Sequence, residues 1–201
     1  MDAPARSRRR HFALALGLLL AAGGALVTLA AWKARPGAGA DGREAFPPDS
    51  RIPRAHGRPT LLAFIHPRCS CSRASLEELA VIAARAPGAA AITIVLVDPA
   101  DPGTPGELAD VRRRAAAVAG ARLVDDPTRT EAARFGAHTS GQVLLYDAAG
   151  HLQFAGGITG SRGHQGDNAG RARVLALLSG RDEKASAPVF GCGLDDREEG
   201  S

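Results

Sequence analysis

Two cysteines lie where an apolar stretch of the chain gives way to a helical pattern. Residues 61–65 are continuously apolar, which is typical of a buried strand, and residues 74–82 carry apolar side chains at helical spacing. Cys69 and Cys71 stand between these stretches, so a strand is expected to deliver both thiols to the first turn of a helix. The partial positive charge of a helix N-terminus favours a thiolate, which is the form that attacks disulfides and binds metals.

The remainder of residues 59–180 alternates between strand and helix patterns. Strands are predicted at 60–66, 91–97, 121–124, 142–147 and 151–155, and helices at 72–86, 107–119, 126–135 and 169–179. The second of these strands is apolar without interruption, as expected for a parallel strand that is covered on both faces. This order of elements predicts an α/β domain with a central sheet and flanking helices.

Residues 12–32 contain no charged side chain. At about 1.5 Å per residue, a helix of this length crosses a hydrocarbon core of about 30 Å. The arginines before it predict that residues 1–11 form a basic cytoplasmic tail and that 12–32 is a retained signal-anchor. A cleaved signal peptide is the alternative, since Ala38-Gly39-Ala40 fits a small-residue cleavage pattern. Both interpretations place the cysteines outside the cytoplasm, where disulfides persist.

The segments on either side of the domain show no periodic pattern. Residues 33–58 are rich in Gly, Ala, Pro and Arg and predict a flexible linker, and residues 181–201 predict a largely polar C-terminal tail. The net charge of +4 is concentrated in the N-terminal arginines, and no basic helix or aromatic-basic motif is present, so no nucleic-acid partner is expected. Three cysteines are too few for a disulfide scaffold and indicate chemistry.

The segment from His66 to Arg73 resembles the active-site region of the thioredoxin-like superfamily, in particular membrane-anchored bacterial thiol-disulfide proteins of the TlpA type. Those proteins have a strand, Cys-x-x-Cys, an arginine and a leucine-rich helix. Alignment on the arginine places Cys69 on the family's nucleophile and Ser72 on its second cysteine, so the motif here is Cys-x-Cys-Ser. The resemblance covers residues 58–180. It implies a thioredoxin-like fold in the periplasm, preceded by one transmembrane helix in the bacterial inner membrane.

Two further landmarks support this resemblance. Phe135-Gly136-Ala137 and Leu144-Leu145-Tyr146-Asp147 look like the family's Tyr-Gly-Val and Phe-Leu-Ile-Asp segments, between which the family has a cis-proline. Gly141 lies at or near that position, and a trans peptide is expected because a non-proline cis bond costs about 3 kcal/mol. The substrate-docking edge is therefore expected to be altered. The cysteine motif together with residues 156–164 also resembles a small group of bacterial thioredoxin-like proteins labelled RedB.

Each of the three cysteines has an expected role. Cys69 is the candidate nucleophile, and His66 and Arg68 are expected to lower its pKa by favouring the thiolate. Cys71 is expected to resolve a mixed disulfide formed at Cys69, and Cys192 is the other candidate resolving thiol. A Cys-x-Cys disulfide closes a small, strained ring, which favours an oxidising or isomerising character over a reducing one.

A glycine-rich loop at residues 156–167 holds an unusual number of polar side chains. It lacks the Gly-Lys-Ser/Thr that a phosphate-binding loop requires, so a phosphate site is not expected. Arg162 and His164 instead support the hypothesis that this loop borders the active cysteines.

The sequence therefore predicts a membrane-tethered, extracytoplasmic thiol-disulfide oxidoreductase without a cofactor. Its expected partners are protein thiols and disulfides, with the membrane contacted through residues 12–32. One alternative is binding or delivery of a soft metal such as copper by Cys69, Cys71 and His66. Another is a non-catalytic binding module on the same fold. A peroxidase of the peroxiredoxin type would need Thr or Ser where His66 stands.

Overall fold

The computed structural model describes residues 3–39, 42–98, 105–181 and 184–194, and the ends of the two expected terminal tails, 1–2 and 195–201, lie outside them. The chain divides into two units between Arg35 and Pro36. The first unit contains helix α1, Ala3–Lys33. Its stretch His11–Lys33 has a mean hydropathy of 2.3 and is long enough and apolar enough to span a membrane.

The second unit is a mixed α/β domain. Its elements in chain order are β1 (Thr60–Ile65), α2 (Ser72–Arg85), β2 (Ala91–Val97), α3 (Pro105–Ala116), β3 (Arg122–Asp126), α4 (Thr130–Phe135), β4 (Gln142–Tyr146), β5 (Leu152–Gly157), α5 (Ala169–Leu178) and β6 (Ala185–Ala187). The strands form one six-stranded sheet in the order β3-β2-β1-β4-β5-β6. Strands β1, β2 and β3 are parallel, β4 is antiparallel to β1, β5 is antiparallel to β4, and β6 is parallel to β5. The predicted central sheet with flanking helices is confirmed.

Strand β1 lies at the centre of the sheet, and all of its residues are buried. Because successive side chains of a strand point to opposite faces, its apolar run supplies two separate layers. Leu61 and Ile65 belong to the layer that packs with α2, α3 and α5. Leu62 and Phe64 belong to the layer on the other face, with Phe135 of α4. The continuous apolar pattern therefore reflects burial on both faces, as in parallel sheets generally.

Much of the segment expected to be a flexible linker, 33–58, packs on this second face. The ring of Phe46 lies 5.0 Å from that of Phe135 and 5.2 Å from that of Tyr146, and Ile52 is 1% exposed. Helix α4 is only six residues long, so it leaves part of the face for this segment to cover. The packing residues are isolated among Gly, Pro and Ala, which is why no periodic signal marked them.

The expected C-terminal tail also contributes to the domain. Strand β6 pairs with β5 at the edge of the sheet. Two glycines of β5 make room for the chain that follows: a Cβ on Gly156 would lie 2.5 Å from the carbonyl oxygen of Ala187, and one on Gly157 would lie 2.6 Å from that of Pro188. After β6, residues 188–194 continue along the domain, and we refer to them as the C-terminal segment.

Candidate active site

The turn between β1 and α2 holds both cysteines of the motif. The carbonyl of His66 accepts the backbone N–H of Cys69 at 3.2 Å, and the carbonyl of Cys69 accepts that of Ser72 at 3.0 Å. Cys71 is the N-cap residue of α2. Cys69 therefore lies one short turn before the helix, and Cys71 lies at its start.

Cys192 of the C-terminal segment lies beside Cys69. Its backbone N–H donates to the Sγ of Cys69 at 3.3 Å, although the two residues are 123 positions apart in the chain. The segment reaches this place by pairing with residues 138–140, where the N–H of Ser140 donates to the carbonyl of Cys192 at 2.8 Å. The structure thus brings all three cysteines of the chain together.

The three cysteines are free thiols, and one of them, Cys69, has a lowered pKa. Cys69 and Cys71 are buried, whereas Cys192 is exposed. The thiols of Cys192 and Cys71 donate hydrogen bonds to the sulfur of Cys69, and this holds the pKa of Cys69 far below its usual range despite burial. The same bonds to Cys69, together with burial, raise the pKa of Cys71 and of Cys192. Among the three thiols, Cys69 is therefore the one that ionises most readily.

The glycine-rich loop borders this cluster through Arg162 and Gly163. The guanidinium of Arg162 donates to the carbonyl of Gly191 at 2.6 Å. Its charge and the backbone N–H of Gly163 oppose the rise in the pKa of Cys71 that the bond to Cys69 causes. His164 is exposed, so a role for this histidine stays a prediction.

His66 and Arg68 lie in the same turn as the cysteines. Arg68 is exposed, and its backbone N–H donates to the Nδ1 of His66 at 3.2 Å. The largest influences on the pKa of Cys69 are the thiols of Cys192 and Cys71. A tuning role for His66 and Arg68 therefore stays a prediction. The sequence named Cys192 only as a candidate resolving thiol, and it did not predict that Cys192 lowers the pKa of Cys69.

Buried hydroxyls join the cysteine turn to the loop before β4. The Oγ of Ser72 donates to the carbonyl of His66 at 2.7 Å and lies 3.2 Å from the Oγ of Ser140. The Oγ of Ser140 in turn accepts the backbone N–H of His66 at 2.9 Å. Gly141 has a trans peptide and a φ of 90°, and a Cβ there would lie 2.7 Å from the Oγ of Ser75. Only glycine combines that backbone with such close contact.

Comparison with known proteins finds solved structures that are similar to this chain. No protein-family model and no curated protein sequence matches the chain. A hypothetical protein from Sinorhizobium meliloti is similar, with 27% identity, a TM-score of 0.55, and coverage of 70% of this chain and 80% of that one. An uncharacterised conserved protein from Geobacillus kaustophilus has 17% identity and a TM-score of 0.59, over 83% of this chain and 95% of that one. A secreted Mycobacterium tuberculosis disulfide oxidoreductase homologous to Escherichia coli DsbE has 14% identity and a TM-score of 0.45, over 62% of this chain and 83% of that one.

The chain has a thioredoxin-like fold. The predicted fold is therefore confirmed, with parallel β1–α2–β2 followed by the antiparallel pair β4–β5 and α5. Within the described part of the chain, no group of three or more His, Cys, Asp and Glu side chains is arranged to hold a metal ion. In this thioredoxin-like domain the backbone N–H of Cys192 donates to the sulfur of Cys69.

We expect one thiolate to persist in the reduced protein far below the pH at which ordinary thiols protonate. An unperturbed cysteine has a pKa of about 8.5. Because the hydrogen bonds from Cys192 and Cys71 lower the pKa of Cys69, this thiol should stay ionised as the pH falls from about 9 to about 5. The ultraviolet absorbance of the thiolate, measured against a variant in which all three cysteines are replaced by serine, should stay constant over that range.

Paired variants of Cys192 separate the hydrogen bond from other effects. Serine retains an O–H donor and alanine does not, so the Cys192→Ala variant should lose the thiolate signal at a higher pH than Cys192→Ser. Because the folded-state pKa of Cys69 is lowered, its ionisation stabilises the fold above about pH 8.5, and this contribution declines as the pH falls through the folded-state pKa. A wild-type signal that titrates near pH 8.5 would contradict the assignment.

Proposed function

We propose that this protein is a membrane-tethered thiol-disulfide oxidoreductase that acts on the cysteines of other proteins, with Cys69 as the attacking thiolate. The observation that carries the proposal is the convergence of two thiols and one backbone N–H on the sulfur of Cys69. The Sγ of Cys69 accepts hydrogen bonds from the thiols of Cys192 and Cys71 and from a backbone N–H. A thiol with a lowered pKa is ionised at neutral pH, which is the form that exchange requires.

The exchange proceeds in two balanced steps. The Cys69 thiolate attacks one sulfur of a partner disulfide, that bond breaks, and the other partner sulfur leaves as a thiolate and takes up a proton. Once Cys69 is in the mixed disulfide, it no longer carries the charge that raises the pKa of the neighbouring thiols. One of these thiols then loses its proton and attacks the Sγ of Cys69, and the first partner sulfur leaves and takes up a proton. The partner disulfide gains two electrons, and the protein is left with an internal disulfide. The same steps in reverse oxidise a partner dithiol.

Cys192 is the favoured resolving thiol. A disulfide between Cys69 and Cys71 would close a small, strained ring. Cys192 comes from a separate segment, and its backbone already contacts the Cys69 sulfur. Cys71 then contributes mainly as a hydrogen-bond donor that keeps Cys69 ionised. His66 and Arg68 lie in the same turn, and we propose that they favour the thiolate.

The location of the protein is part of the proposal. The apolar stretch His11–Lys33 supports a single membrane anchor, and the arginines before it support a cytoplasmic N-terminus. The domain would then lie outside the cytoplasm, in the periplasm beside the bacterial inner membrane. This compartment allows both protein disulfides and an internal disulfide to persist.

Mapping the cysteines across a glutathione redox series tests the proposal. The full chain in detergent is equilibrated at each ratio, free thiols are alkylated, and disulfides are located by mass spectrometry. We expect a reversible Cys69–Cys192 disulfide, with Cys71 alkylated as a free thiol. A Cys69–Cys71 disulfide would move the resolving role to Cys71. The absence of any disulfide at every ratio, or alkylation only after a chelator is added, would reject the oxidoreductase.

A further inference from the structure

The C-terminal segment closes the route to Cys69. With the segment in place, Cys69 is 3% exposed, and the backbone of Cys192 contacts its sulfur. Exchange requires a partner sulfur to come into contact with the attacked or attacking sulfur. A partner can therefore reach Cys69 only when the C-terminal segment moves away.

Main-chain hydrogen bonds hold the segment on residues 138–140. The N–H of Ser140 donates to the carbonyl of Cys192 at 2.8 Å, and the N–H of Leu194 donates to the carbonyl of His138 at 2.8 Å. The pairing is antiparallel. Any extended polypeptide can make such bonds, because they involve no side chain of the bound strand. Residues 138–140 are thus a docking edge that a second strand of similar shape fits.

One position of the docked strand does restrict the side chain. A Cβ on Gly191 would lie 1.9 Å from the carbonyl oxygen of Ser140 and 2.9 Å from its carbonyl carbon. Both are backbone atoms of the docking edge, so they cannot turn aside as a side chain would. The residue directly before the cysteine must therefore be glycine for the strand to dock in this way.

We propose that the docking edge binds an extended segment of the partner protein with glycine directly before its reactive cysteine, in place of this protein's own C-terminal segment. The inference rests on the proposed function and adds to it the kind of partner segment that is recognised. Strand β6 is paired separately with β5, so only the residues after Ala187 need to move.

Return of the C-terminal segment completes the reaction. In the mixed disulfide, Cys69 is bonded to the partner sulfur, and the partner strand lies on the docking edge. When the C-terminal segment docks again, Cys69 carries no charge, so Cys192 can lose its proton, and its thiolate attacks the Sγ of Cys69. The Cys69–Cys192 bond forms, and the partner sulfur leaves as a thiolate and is protonated. The same movement therefore resolves the mixed disulfide and displaces the partner strand.

Two peptides test this inference on the full chain in detergent. The chain carries Cys71→Ser and Cys192→Ser, which leaves Cys69 as its one cysteine. One hexapeptide has the sequence of residues 189–194, and the other has alanine in place of the glycine directly before the cysteine, which corresponds to Gly191. Each peptide cysteine is joined by a disulfide to a chromophoric aromatic thiol, which is released when Cys69 attacks the peptide sulfur. We expect the glycine peptide to react about tenfold faster or more, since one tenfold step corresponds to about 1.4 kcal/mol of docking.

Displacement of the C-terminal segment is tested on the same chain by adding Gly191→Ala. This change should undock the segment and raise the rate of the glycine peptide several-fold. Gly106→Ala is the matched control, because a Cβ there meets nothing within 4 Å, and it should leave the rate unchanged. Equal rates for Gly191→Ala and its control would overturn the displacement.

The outcomes separate the docking inference from the proposed function. Equal rates for the two peptides, with a small organic disulfide also reacting at Cys69, would overturn selection for glycine and leave the oxidoreductase standing. No reaction with either peptide or with the small disulfide would instead overturn the oxidoreductase itself. The peptide comparison requires no substitution of Gly191 in the chain, so it holds even if that variant fails to fold.

Discussion

Replacing Cys69 with serine is expected to abolish disulfide exchange, whereas replacing Cys192 with serine should trap the partner. A serine hydroxyl has no thiolate character at neutral pH, so the rate with Cys69→Ser should fall by about three orders of magnitude or more. Cys192→Ser retains the attacking thiolate and a hydrogen-bond donor beside it. Its first step should continue, and the mixed disulfide at Cys69 should accumulate because the favoured resolving thiol is missing.

Turnover of a model protein disulfide and mass analysis of the products measure both effects. Cys71→Ser is the matched control, since it also replaces a thiol that donates to Cys69. It should keep most of the turnover and accumulate little mixed disulfide. If Cys71→Ser traps the partner and Cys192→Ser does not, the resolving thiol is Cys71. Exchange that survives in Cys69→Ser would contradict the assignment of the nucleophile.

Replacing Glu78 with leucine is expected to destabilise the fold by about 3–5 kcal/mol, the usual cost of breaking a buried ion pair by removing one partner. Glu78 of α2 forms an ion pair with Arg171 of α5, and their side chains are 3% and 8% exposed. Its carboxylate also accepts the backbone N–H of Gly166 at 2.6 Å. The substitution would leave the buried Arg171 paired only with the exposed carboxylate of Asp167 among the described residues, and it would release one end of the loop that carries Arg162.

The neighbouring glutamate supplies the control for this prediction. Glu77 pairs with Arg114 at 2.6 Å, but its side chain is 45% exposed, so Glu77→Leu should cost only about 0–1 kcal/mol. The double variant Glu78→Leu with Arg171→Leu should recover much of the loss, because no buried charge is left uncompensated. Pulse proteolysis of the full chain across a urea series measures the free energy of unfolding of all three variants. Equal losses for Glu77→Leu and Glu78→Leu would contradict a stabilising role for the buried pair.

The position of the cysteine motif could be predicted because it depends on neighbouring residues. An apolar run followed by a helical pattern places Cys69 and Cys71 at a strand-to-helix junction, and the structure has that junction between β1 and α2. The role of the glycine-rich loop was only a hypothesis from its polar residues. Arg162 does lie beside the cysteines, whereas His164 is exposed.

The sequence by itself determined the properties that local pattern encodes: an apolar N-terminal helix, the order of strands and helices, and two thiols at the head of α2. These follow from hydrophobic periodicity over short windows. Its glycines and prolines made the segments before β1 and after α5 look structureless. Phe46 and Ile52 nevertheless pack on the sheet, because α4 is too short to cover that face.

Only the tertiary structure decided that Cys192 lies beside Cys69. Its place depends on main-chain hydrogen bonds to Ser140 and on glycines that let two backbones approach closely, and neither leaves a side-chain pattern in the sequence. The low pKa of Cys69 likewise arises from thiols that folding brings together. Long-range backbone pairing therefore decides which residues surround the motif, whereas the local sequence only determines its position.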